Sequence, residues 1–272
     1  MNILDTIVAR KREEVAELKA KTSLKELESR PHFSRKVFSL SQSLRDKQIA
    51  GLPGIIAEFK RKSPSKGIIN AEADVKETTT GYVEAGAAAL SVLTDVDFFA
   101  GDNENLLIAR EHVKCPILRK DFTRDPFQIT EAKAIGADAI LLIAAILSPE
   151  EVQQLAGFAQ DMGLEVLLEV HNEEELKRTA LTENIAPFIN VVGVNNRNLK
   201  TFEVSIQTSI DLAKLMPQEM LRISESGISD PGNIRTLMQH GYEGFLIGET
   251  FMKQPNPAKA CGEFVSGLGV VR

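Results

Sequence analysis

The chain has 272 residues, 43% of them hydrophobic, a length suited to one α/β barrel and enough apolar side chain to fill its core. A formal net charge of −6 excludes a broadly basic surface for nucleic acid or an anionic membrane, while a few local lysines still suffice for a small anionic ligand. Cys115 and Cys261 stand in unrelated contexts, without CxxC or Cys/His spacing, which argues against a disulfide framework or a zinc site and suits a reducing, cytoplasmic setting.

The amino terminus, MNILDTIVARKREEVAELKAK, is amphipathic and charged, with no uninterrupted apolar run of the signal-peptide or membrane-spanning kind. Ile3, Leu4, Ile7 and Val8 share one helical face, which Val15 and Leu18 continue, so the first thirty residues are expected to be helical. A second short helical pattern runs over Val37–Leu44 and is broken by Gly51, Pro53 and Gly54. Residues 1–52 are read as a helical extension covering the mouth of the domain that follows.

From Gly54 onward, short apolar runs alternate with longer segments of helical period. The predicted strands are Gly54–Phe59, Ala89–Leu93, Pro116–Arg119, Ala139–Ile143, Glu165–Leu168, Val191–Val194, Leu221–Ile223 and Gly244–Ile247. Predicted helices between them include Asp74–Ala85, Pro126–Ile135, Pro149–Met162 and Pro231–His240, and each is followed by a glycine, at 86, 136, 163 and 241, as a helix end requires. Eight units spaced about 25–30 residues apart predict a closed (β/α)8 TIM barrel over residues 1–272, one α/β domain with an N-terminal helical extension. A doubly wound sheet is the alternative, but no GxGxxG follows the first strand.

Chemistry in such a barrel stands at the carboxyl ends of the strands. At the first exit, Glu58 and Lys60 are two apart and point to one side of an extended chain; a salt bridge in a solvated loop is the plain alternative. The third exit ends on Lys120, where partial desolvation is expected to lower the pKa and suit a general acid, unless the side chain snorkels to solvent. Phe122 beside it is either an apolar wall for an aromatic substrate or ordinary core. Glu169 closes the fifth strand as a base or as the orienter of Lys120, and His171 receives no role. Asn195 and Arg197 alternate at the sixth exit, offering neutral hydrogen bonds and a fork for carboxylate or phosphate, or else form a polar turn. The last two exits, Ser224-Glu225-Ser226-Gly227 and Leu246-Ile247-Gly248-Glu249, each place small residues just before a helix, the usual phosphate site of a barrel.

These runs resemble one family. Ile56-Ala57-Glu58-Phe59-Lys60-Arg61-Lys62-Ser63-Pro64-Ser65 resembles the first-strand signature of indole-3-glycerol phosphate synthase, an enzyme of tryptophan biosynthesis. Leu118-Arg119-Lys120-Asp121-Phe122, Leu168-Glu169-Val170, Gly193-Val194-Asn195-Asn196-Arg197 and Ser224-Glu225-Ser226-Gly227-Ile228 follow in the family's order, and Ile3–Val8 with Lys11–Val15 resembles its extra helix. The resemblance implies a carboxy-lyase that converts 1-(2-carboxyphenylamino)-1-deoxyribulose 5-phosphate to indole-3-glycerol phosphate, carbon dioxide and water. It implies no metal or organic cofactor, no nucleic-acid or membrane partner, and a monomer.

By the same resemblance Lys120 protonates the ketone oxygen, and Glu169 supports that transfer and stabilises the cationic intermediate. Lys60 contacts the substrate carboxylate and is the candidate acid for dehydration, the family leaving open which lysine serves each step, while Glu58 and Asn195 position the reacting hydroxyl and take part in proton shuffling. Arg197 lines the mouth. Ser63, Ser226, Gly227, Gly248 and Glu249 lie on the phosphate side, and Phe99, Phe122, Leu141 and Ile143 surround the anthranilate ring; Glu225 and Leu246 complete the substrate-binding set. Glu249 departs from relatives with serine there, and its carboxylate would repel phosphate, leaving only its backbone N–H to help. Pro31–Leu52 fits the family loosely, and the absence of Trp leaves any aromatic wall to Phe.

Three rivals remain. A phosphoribosylanthranilate isomerase-like barrel would carry a cysteine at the first exit and an aspartate at the sixth, where Glu58, Lys60 and Asn195 stand here. An aldolase-like barrel would use a Schiff-base lysine. A silent phosphate-metabolite binding barrel would have no need of Lys60, Lys120 and Glu169 together.

Overall fold

The computed structural model describes residues 3–199 and 201–269; Met1 and Asn2 of the expected first helix, Lys200 and the last three residues of the expected domain lie outside the described residues. Eight parallel strands among them close into a barrel: β1 Gly54–Phe59, β2 Ala89–Leu93, β3 Ile117–Lys120, β4 Ala139–Ile143, β5 Glu165–Val170, β6 Val191–Asn195, β7 Arg222–Glu225 and β8 Gly244–Ile247, with β8 returning to pair with β1. No helix among the described residues is long and apolar enough to cross a membrane.

Alternation along the strands divides the core in two. Ile56, Leu118, Leu141, Leu167, Ile223 and Leu246 pack together inside the barrel. Their neighbours Ile55, Ile117, Leu142, Leu168, Val192 and Phe245 face outward and pack with the surrounding helices. Strands three, five, six and seven run past their predicted ends. Lys120 pairs with Leu93, Glu169 with Ile143 and Gly193, and Glu225 with Asn195 and Leu246. A charged side chain ends the apolar pattern while its backbone stays in the ladder, so hydropathy stops short of the strand. The predicted helices hold to within a residue at each end: Asp74, Asp125, Ser148 and Asp230 cap their starts, and the last predicted residue of each is its carboxyl cap.

The extension departs from expectation. It folds as α1 Ile3–Lys21, α2 Leu24–Glu28 and α3 Leu40–Ile49, the last beginning at the Ser39 cap rather than at Val37. Only α1 lies over the mouth. Ser43 Oγ donates to Ala88 O at 2.6 Å, Phe38 N to Asp138 Oδ1 at 2.7 Å and Ser41 N to Glu165 Oε2 at 2.7 Å, all at strand starts. Leu40 and Leu44 join the barrel interior, so α3 closes the end opposite the mouth.

A buried lysine fixes α1. Lys11, 3% exposed between Ile7 and Val15, places Nζ 2.9 Å from Asp95 Oδ2, 3.0 Å from Asp121 Oδ1 and 2.5 Å from Glu14 Oε2. Its stripe is therefore not purely apolar: one cation ties the helix to the loops after β2 and β3.

Candidate active site

The barrel mouth encloses a cavity of about 500 Å³, and every site residue expected from the sequence lines it. Ile3, Leu4 and Ile7 of α1, expected only as part of an extension covering the mouth, also line it, as do Leu199, Phe202 and Val204 of the loop after β6, which the sequence did not single out. The α1 face was legible as apolar, but periodicity does not say what a face packs against.

The floor is a cluster of charges. Lys60 Nζ donates to Glu58 Oε1 at 2.6 Å, and Ser91 Oγ, facing inward from β2, donates to Glu58 Oε2 at 3.1 Å. Lys120 Nζ donates to Glu169 Oε2 at 3.1 Å and lies 3.7 Å from Glu225 Oε2. His171 Nε2 is 3.2 Å from Glu169 Oε1, and its Nδ1 is 3.1 Å from Glu175 Oε2. His171, given no role from sequence, thus braces Glu169 from behind.

Proton affinities follow from this packing. Burial disfavours the charged form of Lys120, but Glu169, Glu225 and Glu58 together outweigh it and raise its pKa above the usual lysine range. This corrects the expected depression: desolvation alone was legible from the strand, whereas the three carboxylates come from other strands. Lys120 stays an ammonium at neutral pH, able to donate a proton and unsuited to attack as a free amine. Burial raises the pKa of Glu58, and Lys60 and Lys120 more than reverse it. Glu169 is lowered well below the carboxylate range, because Lys120 and His171 overcome its burial. Burial lowers His171, but Glu169 and Glu175 lift it to about 9. Glu225 moves the other way, pushed up to about 8 by burial, with Glu169 and Glu58 offsetting the help from Lys120.

One side of the cavity is apolar. Phe99 and Phe122 tilt together with ring centroids 6.0 Å apart, and Leu141 and Ile143 face them from β4. On the opposite side, Ser226 and Gly227 take left-handed conformations, φ 67° and 74°, and turn the chain away from β7. The helix begins at its predicted start, Pro231, four residues beyond Gly227, so the seventh exit offers a turn rather than a helix end. At the eighth exit Gly248 leads directly into the short helix Glu249–Met252. Gly248 has a second consequence: a Cβ there would stand 2.6 Å from Glu58 Oε1, so its bareness admits the Glu58 carboxylate.

Glu249 faces the cations of this side, with Oε1 3.6 Å from Lys66 Nζ and Oε2 3.9 Å from Arg197 Nη2. Arg197 is held from its backbone, whose N–H donates to Asn195 Oδ1 at 3.0 Å. Ser63 and Lys66 reach the cavity from the loop after β1.

A family model described as indole-3-glycerol phosphate synthase matches residues 4–264. A protein of that name from Acinetobacter baylyi is 47% identical over 262 residues, 96% of this chain and 94% of its own length. Another from Bacteroides thetaiotaomicron is 45% identical over 271 residues, 98% and 99% of the two chains. Among solved structures, tryptophan synthase subunit alpha from Legionella pneumophila str. Paris aligns with a TM-score of 0.59 over 84% of this chain and 96% of that one; at 14% identity the likeness is one of fold.

Proposed function

The chain belongs to the indole-3-glycerol phosphate synthase family, and from that premise we propose how its barrel mouth divides the work of the reaction. The substrate is 1-(2-carboxyphenylamino)-1-deoxyribulose 5-phosphate; the products are indole-3-glycerol phosphate, carbon dioxide and water.

The phosphate lies against the Ser226-Gly227 turn and the backbone N–H groups after Gly248, with Lys66 and Arg197 as counter-charges. The aromatic ring lies between Phe99, Phe122, Leu141, Ile143 and Leu246, with α1 above it. Lys60 holds the ring carboxylate. These contacts fold the substrate so that the carboxylate-bearing ring carbon faces the ketone carbon, a positioning gain that accounts for much of the rate.

As the new carbon–carbon bond forms, negative charge develops on the ketone oxygen, and the Lys120 ammonium donates its proton there. Glu169 keeps Lys120 charged and oriented, and its own charge steadies the cationic ring intermediate. Loss of carbon dioxide returns the electrons of the broken bond to the ring. Dehydration then removes the newly formed hydroxyl as water, with Lys60 giving it a proton, Asn195 holding it and Glu58 taking the proton lost from the adjacent carbon as the ring double bond forms.

The observation that carries this reading is the pairing of each lysine with its own glutamate on one floor, Lys120 with Glu169 and Lys60 with Glu58. Two acids, each with a partner, suit a sequence of two protonations. Turnover is tested by incubating purified protein with the substrate and following indole fluorescence. A steady gain proportional to enzyme is expected; no gain at micromolar enzyme would refute the reading.

A further inference from the structure

Glu225 is the odd member of the floor. It is 1% exposed, and its Oε1 has no hydrogen-bond partner among the described residues. A buried carboxyl oxygen without a partner is costly unless the fold gains something by holding it. Oε2 faces Lys120 Nζ at 3.7 Å.

What holds the other oxygen is a gap. The inward positions of β6 are Val191, Gly193 and Asn195, and the middle one is bare. A Cβ at Gly193 would stand 2.1 Å from Glu225 Oε1 and 3.2 Å from Glu225 Cδ, while its next neighbour, Leu167 Cδ2, would be at an ordinary 3.5 Å. The steric demand at Gly193 is thus made by the Glu225 carboxyl alone. Gly193 lies mid-strand, paired with Glu169 and Ile223, and is not among the residues with positive φ. Its backbone suits alanine, so the turn chemistry that usually explains a glycine does not explain this one.

We propose that Gly193 is a positioning residue of the reaction: its missing side chain is the socket that seats the Glu225 carboxyl beside Lys120. The inference rests on the reading of Lys120 as the acid. In the socket, Glu225 is shielded from water and keeps its proton near neutral pH, which leaves two ammonium groups, Lys60 and Lys120, facing two carboxylates, Glu58 and Glu169. Alanine at 193 lifts the carboxyl toward the open mouth, where it ionises more readily and crowds the space in front of Lys120.

The test is Gly193→Ala in two backgrounds. With Glu225 present, kcat is expected to fall by about tenfold or more, as small displacements of a catalytic group do, with KM changed less. The melting temperature should hold or rise, since alanine suits a strand better than glycine. The limb of the kcat–pH profile near pH 8 that Glu225→Gln abolishes should shift to lower pH. In a Glu225→Ala background, where the clash is gone, the same substitution should change kcat less than about twofold. Wild-type kcat and pH profile in Gly193→Ala, or an equal loss in both backgrounds, overturns the proposal. Should Gly193→Ala fail to fold, the double variant is expected to fold; if it also fails, alanine clashes elsewhere and the socket is refuted. A near-wild-type Lys120→Ala would instead undo the assignment of the acid, whatever Gly193 does.

Discussion

Lys120 Nζ and Glu169 Oε2 meet at 3.1 Å from strands that are not neighbours, with β4 between them. The contact crosses the inside of the barrel, so it depends on closure of the sheet and not on local sequence. Glu169→Gln removes the largest support for the Lys120 charge. It is expected to lower kcat by roughly a hundredfold and, in a Glu225→Gln background where the limb near pH 8 is gone, to move the remaining alkaline limb of Lys120 to lower pH. A pH series of kcat in that background, with and without Glu169→Gln, checks this; an unmoved limb separates Glu169 from the proton affinity of Lys120.

Two substitutions on the phosphate side are expected to move KM in opposite directions. Ser226→Asp tolerates the left-handed backbone but sets a carboxylate against phosphate, and should raise KM by about tenfold or more. Glu249→Gln frees Lys66 and Arg197 from a competing anion and should lower KM by about threefold. Steady-state kinetics at low ionic strength reads both. An unchanged KM in Ser226→Asp would put the phosphate elsewhere.

Lys11→Met keeps the length of the side chain and deletes its charge. Asp95 then remains buried without its cation while Asp121 keeps Arg119 Nη2 at 3.6 Å, a loss of about 3 kcal/mol of stability by analogy with broken buried pairs. Urea unfolding at neutral pH measures it. A loss within experimental error would mean that the two aspartates are satisfied without Lys11.

Stability should fall as the solution becomes alkaline. His171 holds its proton to about 9 in the folded state, against about 6.5 in an unfolded chain. Its contribution is therefore full below about pH 6.5 and is lost as pH rises through about 9. Glu225, raised to about 8, adds a loss of the same sign beginning at lower pH. Urea midpoints across pH 6 to 9.5 should decline in the wild type and decline less in His171→Gln. Equal slopes in the two proteins would remove His171 from the linkage.

Much of this architecture can be read from the chain. Glu58 two residues after Ile56, and Glu169 two after Leu167, set strand, face and exit at once, and every expected site residue reaches the cavity. The rest depends on partners distant in sequence. The burial of Lys11 needs Asp95 and Asp121. The place of α3 beneath the barrel needs Ala88, Asp138 and Glu165 at strand starts. The proton affinity of Lys120 reverses its expected direction because three carboxylates arrive from β1, β5 and β7. Gly193 looked like part of a motif and proved to be space for another strand's side chain.

The two lysines act in order, Lys120 in ring closure and Lys60 in dehydration. Single-turnover rapid quench with substrate labelled in its ring carboxylate, run on Lys120→Met and Lys60→Met, follows carbon dioxide and indole product separately. Lys120→Met should release neither, because decarboxylation waits on ring closure. Lys60→Met should release labelled carbon dioxide ahead of indole, because only dehydration lacks its acid. Carbon dioxide released by Lys120→Met at the wild-type rate would contradict the assignment of Lys120 as the acid of ring closure.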